Sequence, residues 1–262
     1  MNDGGERRGQ RYESTRQAWE EIWASADVPR ELATMSYPRA QEILQAYLPL
    51  LPRDGVILEA GSGLGAVLLT LQPLGYRIHG MDYALGALRA TRDYEASLPL
   101  LAGDVHQLPY AADSLAAYLS FGVLEHFEQG MAPALREARR VLRPGGLLVL
   151  TIPYPNWLER AVRWRRQRRG GSGLRDDEFY ESIYSLRQLR DEVNAAGFAI
   201  RRVVPTSHAY TFYGLGPLFR ARGYYETNGL ARLCGRIARF LLPWPLNFNT
   251  LVLAIKPDPS SS

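Results

Sequence analysis

The 262-residue chain is poor in the residues from which many sites are built. It holds one cysteine, Cys234, which excludes a disulfide scaffold and any multi-cysteine zinc or iron–sulfur site and fits a reducing compartment. Its four histidines, His79, His106, His126 and His208, are scattered, with no H-E-x-x-H spacing, so no metal site is expected. No uninterrupted apolar run reaches the roughly 18 residues that a membrane-spanning helix requires. The opening MNDGGERRGQRYESTRQ is polar and lacks the apolar stretch of a secretory leader, which predicts a cytoplasmic location. Lysine is almost missing: Lys256 stands alone against an arginine-rich background, a pattern read as base composition rather than function.

What is present is ordinary for a folded chain: 46% hydrophobic and 22% charged residues exclude wholesale disorder. The charge is uneven. Residues 1–150 hold 14 basic and 18 acidic groups, and residues 151–262 hold 17 basic and 9 acidic groups. A basic second part points to an anionic partner there, with solvated arginines as the alternative.

The hydrophobic pattern alternates between periods. Residues 13–25 and 37–48 read as helices, the first with Trp19, Ile22 and Trp23 on one face, after a disordered stretch at 1–12. Strands are predicted at 56–60, 76–81, 100–102, 115–120 and 147–152, with helices at 65–71, 84–98 and 131–141 between them. A helix at 185–196 with Ser185 as N-cap, a strand at 198–204 and a last strand at 249–256 complete the pattern, before a fraying tail. Such alternation implies an α/β fold, a doubly wound and mostly parallel sheet, with ligands held outside the carboxyl ends of its strands.

The strongest local signal is Val56-Ile-Leu-Glu59-Ala-Gly61-Ser62-Gly63-Leu-Gly65, a strand running into a glycine-rich turn and a helix. Glycines allow positive φ and close approach of a ligand, and the helix start offers free N–H groups to an anion. Gly61, Gly63 and Ala66 also satisfy G-x-G-x-x-[GA], and Asp82 follows Gly61 at about the distance of a ribose-binding acid, so a nicotinamide dinucleotide is one alternative. Glu59 argues against it. A carboxylate beside the turn repels a pyrophosphate and tolerates an ammonium or a sulfonium. Local backbone capping by Glu59, and turn chemistry at Asp82 and Asp104, remain the structural alternatives.

Four ordered segments, LEAGSGLG, GMDYA, AGDVHQLPY, and the pair LSFGVLEHF with REARRVLRPGGLLVLTIP, resemble the class I S-adenosylmethionine-dependent methyltransferases, in the small-molecule (methyltransferase type 11-like) branch. The resemblance covers about residues 37–205 and the last strand, and it implies a seven-stranded Rossmann-like sheet with S-adenosylmethionine as cofactor. It implies that Glu59, Gly61, Ser62, Gly63 and Gly65 hold the methionine part, that Asp82 accepts from the ribose hydroxyls and that Tyr83 packs beside the adenine. Asp104 would accept from the adenine amino group between Gly103 and Val105, and Phe121 and Gly122 would flank the methyl region. The organisation expected is an N-terminal tail and cap helix at 1–36, a cofactor-binding core at 37–153, a basic amphipathic insertion at 154–180, the rest of the sheet at 181–205 and 247–257, and a helical substrate-side insertion at 206–246.

Methyl transfer needs alignment of nucleophile, methyl and sulfur away from water, and a hydroxyl acceptor also needs a base. His126 is the candidate base, and Glu125 either orients it or shapes the cofactor pocket; loop packing is the alternative for the histidine. In the two insertions, Trp157, Leu158, Ala161 and Val162, and then Leu230, Leu233, Cys234, Ile237, Ala238 and Leu241, recur at helical spacing beside arginines. They suit a lid over an amphiphilic acceptor, a surface lying on an anionic membrane, or helices docked on the sheet. The working expectation is methylation of a small-molecule, lipid-like, lipid-linked or glycan hydroxyl, with an anionic membrane surface at the inner face as candidate partner. An NAD(P)-dependent oxidoreductase, a nucleic-acid methyltransferase and a non-catalytic cofactor-binding subunit are the competing readings. Nucleic acid is disfavoured because Ser120-Phe121-Gly122-Val123 stands where base-amine methyltransferases carry Asn/Asp-Pro-Pro-Tyr/Phe. Nothing in the sequence fixes the oligomeric state.

Overall fold

A computed structural model describes residues 15–168 and 182–258. The tail expected at 1–12, residues 169–180 of the first insertion and the last four residues of the chain lie outside the described residues.

The architecture is one seven-stranded sheet between helical layers. After α1 (residues 15–24), α2 (Val28–Thr34) and α3 (Pro38–Tyr47), the chain runs β1 (Val56–Ala60), α4 (Ala66–Leu71), β2 (Ile78–Asp82), α5 (Leu85–Tyr94), β3 (Leu100–Ala102), β4 (Leu115–Phe121), α6 (Ala132–Val141) and β5 (Leu142–Pro153). Then follow α7 (Trp157–Arg168), α8 (Leu186–Ala195), β6 (Ala199–Thr206), α9 (His208–Tyr213), α10 (Gly229–Leu241) and β7 (Asn249–Ile255). The strand order is β3-β2-β1-β4-β5-β7-β6, with β7 antiparallel to both of its neighbours. This is the Rossmann-like methyltransferase sheet that the resemblance implies.

The central strands are apolar without alternation because both faces are covered. β4, Leu115-Ala-Ala-Tyr-Leu-Ser-Phe121, is buried at every position but the last. On one face Leu58, Leu148 and Val252 pack against Leu135 and Ala138 of α6 and Leu189 of α8. On the other, Ile57, Leu119 and Val149 pack against Leu44 and Tyr47 of α3 and Leu68 of α4. Each such fully buried aliphatic side chain contributes about 1.5–3 kcal/mol.

Some boundaries differ from the pattern in the sequence. α2 goes unseen because seven residues span too few turns to show a period; it is set by local chemistry, with Asp27 accepting from the Arg30 N–H at 2.8 Å and Pro29 in the first turn. α5 stops at Tyr94 rather than Leu98, where Glu95 turns extended and accepts from both the N–H and the hydroxyl of Ser97. β5 includes the Arg143-Pro-Gly-Gly146 turn, which bulges out of the ladder between Leu142 and Leu147. Residues 206–246 resolve into α9, α10 and an intervening loop.

Candidate functional site

The site forms where β1, β2, β4 and β5 end, at the carboxyl edge of the sheet. β1 delivers Glu59 and then turns sharply. Gly61, Gly63 and Gly65 have φ of +78°, +49° and +71°. A side chain at Gly61 would collide with Val123, and one at Gly63 with the Trp23 indole, so these two positions need glycine for space as well as conformation. The N–H groups of Gly61 and Ser62 donate to Met81 O at 2.8 and 3.0 Å, which fastens the turn to the end of β2. There Asp82 accepts from the Gly63 N–H through Oδ2 and the Ala84 N–H through Oδ1, both at 2.8 Å.

Around this turn lies a cavity of about 300 Å³. The sequence-predicted Glu59, Gly61, Ser62, Gly63, Asp82, Tyr83, Phe121, Gly122 and His126 all line it. Gly65, Gly103, Asp104, Val105 and Glu125 do not. Asp104 sits just outside, accepting through Oδ1 from the His106 N–H at 2.9 Å and meeting His106 Nδ1 at 2.7 Å; the His106 ring packs edge-on against Phe127, which does line the cavity. Val105 is buried in the core cluster with Phe127 and Leu108. Glu125 is buried beside His126, its Oε1 3.9 Å from His126 Nε2.

The cavity is rich in buried polar atoms that the described residues leave without partners. Glu59 Oε2, Ser62 Oγ, Tyr47 OH and Ser207 Oγ are all in this state, and all four residues line the same space. Native interiors satisfy nearly all buried polar groups, so such a cluster marks a place built for a polar ligand. Burial, reinforced by the Asp82 charge, pushes the Glu59 carboxyl well above its ordinary value of 4.5. Burial also raises Asp82, against the amide hydrogen bonds that hold it down. A ligand cation set beside Glu59 would relieve both effects. This corner therefore favours an ammonium over a diphosphate.

The rest of the wall includes residues that motif reading passed over. α1 lies across the glycine turn: Trp23 packs on Gly63, Trp19 stacks on Trp23 at 5.6 Å and meets the His126 ring edge-on at 5.3 Å. Glu20 holds α1 there by accepting from the N–H groups of Leu85 and Gly86, at 2.7 and 3.0 Å, at the start of α5. α2 and α3 add Glu31, Thr34 and Arg39, the last with its guanidinium 4.4 Å from the Tyr210 ring centroid. Thr151, Ser207 and Asn249 line it from β5, the end of β6 and β7. Ser207 is the one described non-glycine wall residue at positive φ, +63°, and its N–H donates to Glu42 Oε2 at 3.0 Å. Its only signal in the sequence is its place at a strand's carboxyl end.

Residues 58–150 match the family described as Methyltransferase domain. The chain is 38% identical over 101 residues to a demethylmenaquinone methyltransferase of Corynebacterium kroppenstedtii, covering 38% of this chain and 42% of that one. It is 30% identical over 151 residues to a ubiquinone/menaquinone biosynthesis C-methyltransferase UbiE of Syntrophotalea carbinolica, covering 55% and 63%. Among solved structures it resembles an SAM-dependent methyltransferase of Methanosarcina mazei with a TM-score of 0.57 at 18% identity, over 84% of this chain and 98% of that one. The chain spans about half the length of the curated relatives it matches.

Proposed function

We propose that this chain, whose residues 58–150 match the Methyltransferase domain family, is a class I, type 11-like enzyme that uses S-adenosylmethionine to methylate a small, lipid-like or lipid-linked acceptor, at a hydroxyl. The observation that carries the cofactor part of the reading is Glu59: a buried carboxylate with an unpartnered oxygen, beside a turn of positive-φ glycines. S-adenosylmethionine, when bound, supplies an electrophilic methyl group and leaves as a neutral sulfide, so no acid is needed at the leaving group.

The chain's own work is then to bind, orient and exclude water. Glu59, with Ser62 and the Gly61–Gly65 turn, holds the methionine end. Asp82 keeps its carboxylate fixed by two amides while retaining lone pairs for the ribose hydroxyls. Tyr83 would pack beside the adenine, and Asp104, with Gly103 and Val105, would accept from its amino group from beyond Phe127. Phe121 and Gly122 would flank the methyl region. His126 takes the acceptor's proton, and Glu125, too far at 3.9 Å for a hydrogen bond, steadies the resulting charge. Trp19 and Trp23 close the mouth. A peripheral site at the inner membrane face belongs to the same proposal, since it would bring a lipid-like acceptor to the cavity.

A second reading has a specific support. The relative named as a C-methyltransferase methylates carbon, so a ring carbon flanked by a hydroxyl is the alternative acceptor, with His126 removing the proton from that hydroxyl. Calorimetry with S-adenosylhomocysteine and NAD tests the cofactor assignment: tight uptake of the first and indifference to the second is the expected pattern, and the reverse would leave an oxidoreductase. Mass spectrometry of cell extracts incubated with the enzyme and methyl-labelled cofactor then identifies the acceptor, and fragmentation of the product separates oxygen from carbon.

A further inference from the structure

α10 is an amphipathic helix turned the unexpected way round. Its Leu and Ile positions would ordinarily face a core. Here the buried face is made of small residues, Ala231, Gly235 and Ala238, and a side chain at Gly235 would collide with the backbone of Ala209 in α9. The large apolar side chains point outward. Phe240 is 87% exposed, Leu241 64%, Leu233 54% and Ile237 51%. The α9–α10 loop extends the patch with Leu218, which is 69% exposed; Asn228, the N-cap of α10, donates to Leu218 O at 2.7 Å and keeps the two together. Trp157 at the start of α7 is also exposed, and its N–H donates to Pro245 O in the turn after α10.

Arg232, Arg236 and Arg239 occupy the arc of the helix between its buried small face and its exposed apolar stripe. A helix in which arginines flank one side of a bare leucine, isoleucine and phenylalanine stripe suits the boundary between anionic headgroups and acyl chains, where long cationic side chains reach the phosphates while the stripe is buried. No helix among the described residues is long and apolar enough to cross a membrane, so the helix would lie along the surface. The same helix touches the cavity wall. Arg239 pairs with Glu42 at 3.1 Å, and Glu42 in turn holds the N–H of the cavity residue Ser207.

We propose that the exposed face of α10, with Leu218 and Trp157, is a docking surface for an anionic lipid bilayer. It deepens the lipid-like acceptor reading by naming the face that meets the acceptor's phase, and it rests on that reading only for its purpose. The occupant is chosen on charge: Arg236 borders the stripe with Arg232 and Arg239, which Glu226 and Glu42 hold at 3.1 Å each, and no acidic residue lies on α10.

Sedimentation with sucrose-loaded vesicles tests it, using phosphatidylcholine alone and phosphatidylcholine with phosphatidylglycerol. The whole chain should pellet with the anionic vesicles, less with the neutral ones, and less again as salt is raised. The double variant Ile237→Glu/Phe240→Glu should lose binding by at least about tenfold, and Arg236→Glu should lose mainly the preference for anionic vesicles. Both sites are exposed, and S-adenosylhomocysteine binding retained by the variants would verify folding. Equal pelleting with and without vesicles overturns the proposal. So does a dimer in light scattering that Ile237→Glu/Phe240→Glu dissolves, for then the face meets a second copy. Failure of wild-type protein to bind S-adenosylhomocysteine would remove the methyltransferase reading and leave the vesicle result standing.

Discussion

Glu59 concentrates the chemistry of the site in one side chain. In the free protein its folded-state affinity for a proton is raised, so the stability it contributes is full below its ordinary pKa of 4.5 and is lost as pH rises through the higher folded value. A ligand ammonium beside it lowers that value again, and binding therefore releases a proton between the two. Calorimetry of S-adenosylhomocysteine binding in two buffers of different ionisation enthalpy should give unequal apparent enthalpies at mildly acidic pH. Glu59→Gln should bind about ten- to a hundredfold more weakly, the loss of a charge-assisted hydrogen bond, with the buffer dependence gone. Identical enthalpies for the wild type in both buffers would mean that Glu59 does not meet the ligand's charge. His126 makes a contrasting prediction. It lines the cavity at the turn after β4, and the proposed role as base predicts that His126→Ala lowers kcat by about 10²–10⁴-fold and leaves S-adenosylhomocysteine affinity near that of the wild type; unchanged turnover would remove it from the reaction.

At the scale of elements, the site is held together by how α1 is anchored. Glu20 caps the first two amides of α5, a helix with no side-chain cap of its own, and thereby sets Trp23 on Gly63 and Trp19 against His126. Replacing Glu20 with Ala should cost about 1 kcal/mol in urea unfolding and speed hydrogen exchange at the amides of Leu85 and Gly86. If α1 is a lid, the same variant should raise KM for the cofactor more than it lowers kcat. Elements also show where sequence and structure part. The strands and β1–α4 turn were legible because a doubly covered parallel sheet writes long apolar runs and a glycine elbow writes its spacing. The orientation of α10 was not. Its Leu-Leu-Ile-Leu periodicity is that of a docked helix, while the docking is done by Ala231, Gly235 and Ala238, whose small size shows only once Ala209 of α9 lies against them. Ser207 was equally silent, since its meaning comes from a backbone angle and from Glu42, 165 positions away in the chain.

Across the whole molecule, the single lysine does what an arginine-rich chain gives it no substitute for. Lys256 directly follows β7, the antiparallel strand inserted between β5 and β6, and only its register holds β6 to the rest of the sheet. The Lys256 ammonium donates to Asp113 Oδ1 at 2.5 Å and to the carbonyls of Arg139 and Leu142, both at 2.8 Å, while its backbone exchanges hydrogen bonds with Gly145 and Gly146. One compact donor with three protons thus ties together the end of β7, the last turn of α6 and the start of β5. An arginine could not reproduce this, because its planar fork points its donors in one plane. Lys256→Met keeps the apolar stem but strips three acceptors of their donor, two of them main-chain carbonyls, and should cost about 1–3 kcal/mol. The loss should appear as a lower urea midpoint at unchanged slope, because the chain unfolds the same surface. Lys256→Arg should fall short of full rescue. Because the clamp lies on the edge of the sheet away from the cavity, S-adenosylhomocysteine affinity in the folded fraction should match the wild type; a variant that loses binding in step with stability would instead place β7 and the Asn249 end of the cavity wall in the same cooperative unit as the cofactor site.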